Sequence, residues 1–127
     1  MKYIENYLIG SSFFTRCNES EKIARKYPGK IPIIIDGASP SSPEIIAHKY
    51  LVPYEMSVGN FMHLIRTRVH MKPTEALFLF VINVDANDSS IREVIPSVSQ
   101  LMSEVYKAHK SSDGFLYIKY EIENTFG

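Results

Sequence analysis

Hydrophobic and polar positions in the first half of the chain predict one helix and two short strands. Residues 12–26 combine helix-forming residues with apolar side chains at helical spacing, and the pattern stops at the breaker pair Pro28-Gly29. Residues 31–36 are dense in β-branched side chains, which is typical of a strand. A loop rich in serine and proline over 37–43 separates it from a short strand, 49–53, that ends at a proline.

The middle of the chain predicts an amphipathic helix and a buried strand. Ser57 is a suitable cap for a helix over 58–69, in which apolar side chains recur at intervals of three and four residues. Residues 77–84 form an apolar run without alternation, which predicts a strand that is covered on both faces.

The last third predicts a loop, a helix and a strand. Residues 85–96 are polar and irregular, and a helical pattern follows over 98–109. A turn at Asp113-Gly114 leads into a final strand over 115–120.

This order of elements predicts an α+β fold in which helices pack on a mixed four-stranded sheet. Two strands, a helix and further strands are the order of a ubiquitin-like β-grasp, to which the N-terminal helix is an addition. We expect one domain over residues 1–127, as its length favours. It would comprise an N-terminal helical extension (1–27), a β-grasp core (28–122) and a flexible C-terminal tail (123–127).

Composition excludes several classes of protein. The chain carries 14 basic and 14 acidic residues, so no net positive charge favours nucleic acid. Its single cysteine indicates a reducing compartment, and the cytoplasm is the expected location. The longest apolar run, 76–82, is far shorter than the roughly 20 residues of a membrane-spanning helix.

The residues that carry enzyme chemistry are scattered. Cys17 has no histidine near it in the sequence, and packing explains it better than catalysis does. The four histidines lack the paired spacings of a metal site, and the glycines form no phosphate-binding loop. We therefore predict a protein that is not an enzyme, with no catalytic residues, metal or cofactor.

Binding is a better-supported role than catalysis. The strand 49–53 is expected to form a sheet edge, whose unpaired backbone groups can accept a peptide strand. Lys30, Lys49, Arg66 and Arg68 flank it and would attract an acidic peptide. On spacing alone, an ordinary strand beside a solvated basic helix explains the same residues.

The end of the chain is the other unusual feature. The segment Asn124-Thr125-Phe126-Gly127 ends in a glycine, whose carboxylate can enter a narrow active site and form an acyl adduct without a Cβ clash. By itself, a terminal glycine is also explained by chance.

Five blocks of the sequence, in order and at similar spacing, resemble one protein family. They are ESEKIARKYPGKIPIII (19–35), KYLVP (49–53), SVGNFMHLIRTR (57–68), ALFLFV (76–81) and HKSSDGFLYIKYEIENTFG (109–127). Over residues 19–127 the chain resembles the autophagy-related ubiquitin-like modifiers, namely autophagy-related protein 8, microtubule-associated light chain 3 and GABARAP. The resemblance implies a β-grasp with an N-terminal helical addition.

The resemblance also implies a conjugation function. Activating and conjugating enzymes would join Gly127 to the amine of phosphatidylethanolamine, which becomes a covalent conjugate on the autophagosome membrane. Phe78 and Phe80 match the aromatic pair that meets the activating enzyme and the processing and delipidating cysteine protease. The modifier would otherwise be a cytoplasmic monomer that recruits cargo receptors.

The family binds W/F/Y-x-x-L/I/V peptides as an added strand with two side-chain pockets. By this resemblance the aromatic pocket consists of Glu19, Ile23, Pro32, Ile34, Lys49, Leu51 and Phe115. The aliphatic pocket consists of Tyr50, Val52, Pro53, Met56, Phe61, Leu64 and Ile65. Lys30 and Arg68 would meet acidic residues beside the peptide core, and each apolar pocket residue is also a candidate for the core.

Two departures from the family pattern support an alternative function. The N-terminal stretch 12–19 is less basic than usual, and 83–98 is longer by about ten residues, as functional loops often are. The alternative is a ubiquitin-like adaptor that binds peptides and is never conjugated.

Overall fold

The computed structural model describes residues 1–85 and 93–124. These residues form four helices and five strands. The helices are α1 (Lys2–Gly10), α2 (Phe13–Lys26), α3 (Val58–Arg68) and α4 (Met102–His109), and the strands are β1 (Lys30–Gly37), β2 (Lys49–Pro53), β3 (Glu75–Ile82), β4 (Glu93–Val94) and β5 (Leu116–Asn124).

The strands form one mixed sheet in the order β2-β1-β5-β3-β4. Strands β1 and β5 run parallel, and the other neighbours are antiparallel. The expected α+β fold of the ubiquitin-like β-grasp type is confirmed, with the helix α3 following the β1–β2 pair. The expected number of four strands was wrong, because β4 contributes only two residues, too few for a periodic pattern.

The N-terminal extension contains two helices, whereas the sequence pattern predicted only one, over residues 12–26. Helix α1 is the one that was not predicted. The expected helix is α2, and Ser12 caps it by accepting a hydrogen bond from the Thr15 N–H at 3.0 Å. Helix α1 is instead capped from strand β1, where Asp36 Oδ2 accepts the N–H groups of Tyr3 (2.8 Å) and Ile4 (3.2 Å). Such a cap depends on the tertiary fold and leaves no local signal.

Strand β3 and helix α4 differ from their predicted bounds. Strand β3 ends at Ile82 instead of 84, since Asn83 Oδ1 accepts the Asp85 N–H at 3.0 Å and turns the chain. Helix α4 begins at Met102 instead of 98. The carbonyls of Val98 and Gln100 are bonded by N–H groups at the start of α3, which excludes those residues from a helix.

Strand β5 continues past the predicted end at 120. It pairs with β3 as far as Asn124 opposite Glu75, so 123 and 124 belong to the strand and not to the tail. Residues 125–127, and 86–92 of the long 83–98 segment, lie outside the described residues.

Helices pack on both faces of the sheet and bury β1 on both, but Phe78 of β3 is 40% exposed, so the prediction of a strand covered on both faces over 77–84 was wrong there. On one face, side chains of β1, β3 and β5 pack against α3 and α4 in the main core, which includes Ile31, Ile33, Phe61, Leu79 and Val105. On the other face, α1 and α2 cover a smaller core built around Ile4, Ile34, Ile82, Phe115 and Tyr117. At about 25 cal/mol per Å² of apolar surface, burial of these side chains is the main stabilising contribution.

A buried carboxylate attaches α2 to the sheet. Asp113 is 2% exposed and binds Arg16 Nε at 3.0 Å through Oδ2. The same carboxylate accepts the Tyr117 hydroxyl at 2.6 Å and the Phe115 N–H at 2.9 Å. Because Arg16 lies on α2 and Tyr117 on β5, Asp113 joins the helix to the sheet beneath it.

We expect Asp113→Ala to lower the free energy of unfolding by roughly 3 kcal/mol or more, because it leaves Arg16 Nε and the buried Tyr117 hydroxyl without their acceptor. Urea denaturation followed by circular dichroism measures the change. The control is Lys22→Ala, an exposed position on the same helix, which should change stability by less than about 0.5 kcal/mol. Equal stability of the two variants would contradict the role given to Asp113.

Candidate functional site

Strand β2 is an edge of the sheet, as the sequence predicts. Its partner in the described sheet is β1, with Ile33 opposite Tyr50 and Pro32 opposite Leu51. The bond from the Ile35 N–H to the His48 carbonyl (2.8 Å) marks a hydrogen-bonded position of this antiparallel ladder. Bonded and non-bonded positions alternate from there along β2.

This alternation decides which backbone groups of β2 are open. Tyr50 and Val52 occupy positions that bond inward to β1, whereas the N–H and C=O groups of Lys49 and Leu51 point away from the sheet. Pro53 has no N–H and ends the strand. The open edge therefore presents two donors and two acceptors to an added strand.

The side chains of β2 alternate between the two faces of the sheet. Lys49 and Leu51 lie on the face covered by α1 and α2, opposite Ile34 and Pro32. Tyr50 and Val52 lie on the face covered by α3, where they belong to or pack against the main core. One strand edge thus lies between two apolar surfaces.

A cavity of about 380 Å³ opens beside β2 on the α2 face. Its lining residues come from α2, β1, β2 and the position just before β5, and they are Ile23, Pro32, Ile33, Lys49, Tyr50, Leu51 and Phe115. Five of the seven residues predicted for the aromatic pocket therefore line one cavity. Ile34 is fully buried in the cluster that contains Phe115.

Glu19, the remaining predicted residue, pairs with a residue that lines the cavity. Its Oε1 lies 2.6 Å from Lys49 Nζ, and its Oε2 accepts the Tyr7 hydroxyl at 2.8 Å. Burial raises the pKa of Glu19, but the hydrogen bonds from Lys49 and Tyr7 and the charge of Lys49 outweigh it, so the pKa lies below its usual value. The side chain is therefore a carboxylate near neutral pH.

Tyr7 is a residue at this site that sequence reasoning missed. Burial raises its pKa, and the hydrogen bond to Glu19 and that carboxylate's negative charge raise it further, so the hydroxyl stays protonated and donates. Tyr7 belongs to α1, a helix without a local signal, and only the packing of α1 reveals its position.

The residues predicted for the aliphatic pocket also come together, but not all are accessible. Val52, Phe61 and Ile65 are at most 1% exposed and are part of the main core. The accessible part consists of four half-buried side chains, which are Tyr50, Pro53, Met56 and Leu64. The structure thus places a shallow apolar surface above the core at this position.

The basic residues that were predicted to attract an acidic peptide do not form a single cluster. Lys30 is exposed at the start of β1, opposite Pro53, and Arg68 is exposed at the end of α3. Burial raises the pKa of Tyr50, while the charge of Arg68 and a backbone hydrogen bond at Ala47 oppose this rise. Arg66 is turned to strand β3, where its Nη1 donates to the Glu75 carbonyl at 3.0 Å.

Phe78 and Phe80 lie together on β3, on the face opposite the main core. Phe78 is 40% exposed, and Phe80 is half-buried with Lys119 Nζ 5.3 Å from its ring centroid. They are opposite Glu121 and Lys119 of β5. Gly127, the predicted conjugation residue, lies outside the described residues.

Cys17 and the histidines do not assemble into a site. Cys17 Sγ is 4.0 Å from the Ser112 carbonyl, and His48 Nδ1 is 2.8 Å from the Ile35 carbonyl. Over residues 1–85 and 93–124, no three or more His, Cys, Asp or Glu side chains are grouped as a metal site requires. Over the same ranges, no helix is both long and apolar enough to span a bilayer.

Comparison with known proteins identifies the family. The family model described as autophagy protein Atg8, ubiquitin-like, matches residues 15–127. Autophagy-related protein 8 of Mycosarcoma maydis is 44% identical over 117 residues, covering 91% of each chain. Autophagy-related protein 8a of Arabidopsis thaliana is 39% identical over 123 residues, covering 96% of this chain and 93% of the relative.

Solved structures agree with these sequence matches. The crystal structure of Trypanosoma brucei ATG8 has a TM-score of 0.73 at 31% identity and covers 95% of this chain and 97% of that one. A Plasmodium falciparum Atg8 in complex with a P. falciparum Atg3 peptide has a TM-score of 0.70 at 31% identity, covering 88% and 91%. Fold and sequence together define a ubiquitin-like protein of autophagy. The chain belongs to the Atg8 family, as its sequence resemblance indicated.

The ionised Glu19 predicts an acid-dependent loss of stability. A carboxyl whose pKa is lowered in the folded state stabilises the fold above its ordinary pKa, here 4.5, and this contribution disappears as the pH falls through the lower folded value. We expect Glu19→Gln to reduce the dependence of stability on pH below about 4.5, as measured by urea unfolding between pH 7 and pH 3. Glu21→Gln, two residues away and exposed on the same helix, is the control. Identical acid dependence of the Glu19 variant and the unmodified chain would contradict the contacts given to Glu19.

Proposed function

We propose that this protein is an autophagy modifier that binds W/F/Y-x-x-L/I/V peptides on strand β2 and is conjugated through Gly127 to phosphatidylethanolamine. The observation that carries the peptide-binding part is the open edge of β2 between two apolar surfaces. Membership of the Atg8 family supports the conjugation part.

The spacing of the peptide motif fits the two faces of β2. In an extended strand, side chains three residues apart point to opposite faces and lie about 10 Å apart. A peptide paired with Lys49 and Leu51 therefore places its aromatic residue in the cavity on the α2 face and its aliphatic residue on the α3 face. Backbone bonds contribute affinity, and the two apolar contacts select the sequence.

Charge would add to selectivity beside the peptide core. Lys30 and Arg68 are exposed near the end of β2 and the α3 face, and they would attract acidic peptide residues. Because the interface is small and its ion pairs are exposed, we expect micromolar affinity. The partners in this proposal are short motifs of autophagy receptors.

Conjugation gives the same protein a second set of partners. The complex of a P. falciparum Atg8 with an Atg3 peptide supports recognition of a conjugating enzyme. The exposed Phe78 and its neighbour Phe80 are the proposed contact for the activating enzyme and the processing and delipidating protease. The protein would be a cytoplasmic monomer before conjugation and reside on the autophagosome membrane afterwards, and it would perform no catalysis itself.

We expect Leu51→Ala to weaken binding of a W-x-x-L peptide by roughly 1–3 kcal/mol, because it removes the apolar wall shared by the cavity and the open edge. Leu51 is 40% exposed, so the fold should survive, whereas Phe115 is 1% exposed and its truncation would damage the core. The chain contains no tryptophan, so the emission of the peptide's own indole reports burial without background. Ile46→Ala, an exposed apolar position in the loop before β2, is the control. Unchanged affinity for the Leu51 variant would mean that the peptide binds elsewhere.

Gly127→Ala tests the conjugation part. We expect it to abolish the phospholipid adduct, since a Cβ at the terminal residue obstructs the narrow active sites of the conjugating enzymes, while peptide binding persists. Tagged chains in starved and fed cells, followed by intact mass and membrane fractionation, provide the measurement. An adduct on the variant would contradict linkage through this carboxylate. Absence of any adduct on both chains, with peptide binding intact, would favour the unconjugated adaptor.

A further inference from the structure

Helix α1 contacts the rim of the cavity beside β2. We propose that Tyr7 of α1 is a positioning residue for peptide binding, which holds Glu19 and Lys49 in the arrangement that receives the peptide's aromatic side chain. The inference rests on the proposed peptide site and adds α1 to it.

Three side chains from three elements meet at this rim. The Tyr7 hydroxyl of α1 donates to Glu19 Oε2 at 2.8 Å, and Lys49 Nζ of β2 lies 2.6 Å from Glu19 Oε1. Lys49 Nζ also lies 4.6 Å from the centroid of the Tyr7 ring, within the range of a cation–π contact. Each of the three groups therefore contacts the other two.

The same ring supports the wall of the cavity. Tyr7 and Phe115 pack edge to face, with centroids 6.1 Å apart and an interplanar angle of 87°. Phe115 lines the cavity, whereas Tyr7 does not. Tyr7 thus acts on the site through Phe115 at the wall and through Glu19 and Lys49 at the rim.

The placement of Tyr7 depends on how α1 is attached. Asp36 accepts the first N–H groups of α1, and the Tyr3 ring stacks on His48 with centroids 4.0 Å apart. The Tyr3 and Tyr7 rings are parallel, with centroids 6.4 Å apart. At the other end of α1, Arg16 Nη1 donates to the Ser11 carbonyl at 2.7 Å. Helix α1 is therefore held at both ends, and its Tyr7 has a defined position.

This arrangement reduces the conformational entropy that is lost when a peptide binds. Lys49 contributes both a side chain in the cavity lining and an open backbone position on β2. Without Tyr7, the long side chains of Lys49 and Glu19 would be less ordered before binding and would lose that freedom when a peptide docks. The expected effect is a loss of affinity without the loss of any direct peptide contact.

The test is a titration of a W-x-x-L peptide, followed by its indole fluorescence, against the full chain and two variants. We expect Tyr7→Leu to lower affinity roughly tenfold and Tyr7→Phe, which keeps the ring but not the hydroxyl, by about threefold. Phe14→Leu, an exposed aromatic position on α2, is the matched control and should bind like the unmodified chain. Tyr7→Phe retains the packing of the ring, so it tests the inference even if Tyr7→Leu does not fold.

A double-mutant cycle separates positioning from general stability. If Tyr7 acts through the Glu19 carboxylate, Tyr7→Phe should have little further effect in a Glu19→Gln background, and additive losses would overturn this role. Normal affinity of both Tyr7 variants, with Leu51→Ala still weakened, would overturn the inference and leave the proposed function standing. Failure of the unmodified chain to bind the peptide would overturn both.

Discussion

Burial of strand β1 on both faces is the constraint on which the rest of the structure depends. Ile31, Ile33 and Ile35 contribute to the main core, while Ile34 contributes to the smaller core on the opposite face. Helices must therefore cover both faces of β1. Since β2 pairs with β1 and ends the described sheet on that side, its open edge lies between two covered faces, with an apolar surface on each.

Two buried carboxylates attach the N-terminal helices to the β-grasp sheet. Asp36 caps α1 from strand β1, and Asp113 joins α2 to β5 through Arg16 and Tyr117. Apolar burial would hold these helices against the sheet in several similar orientations, whereas hydrogen bonds to buried carboxylates require a particular one. The same attachments place Glu19 of α2 and Tyr7 of α1 beside Lys49, so the architecture of the extension and the geometry of the candidate site have one origin.

Elements that begin or end at a local sequence signal, such as a capping serine or a proline, were predicted from the sequence. Ser57 caps α3 as expected, and β2 occupies the predicted residues 49–53 because Pro53 ends the strand. Family resemblance, rather than periodicity, assigned the pocket residues. Nothing local indicated α1, which is capped by a residue in another element, or Tyr7, which reaches the rim through that helix. Strand β4 was missed because it has two residues, and the burial of Phe61 and Ile65 required the packed core to be known.

Amide hydrogen exchange, resolved by residue in the free protein and in the presence of a W-x-x-L peptide, tests the central claim most directly. The claim is that a peptide adds as a strand to the open edge of β2. It predicts that the amide hydrogens of Tyr50 and Val52 are protected with or without peptide, while those of Lys49 and Leu51 exchange rapidly in the free protein and become protected when the peptide binds. Peptide binding that leaves the Lys49 and Leu51 amides in rapid exchange would contradict the account.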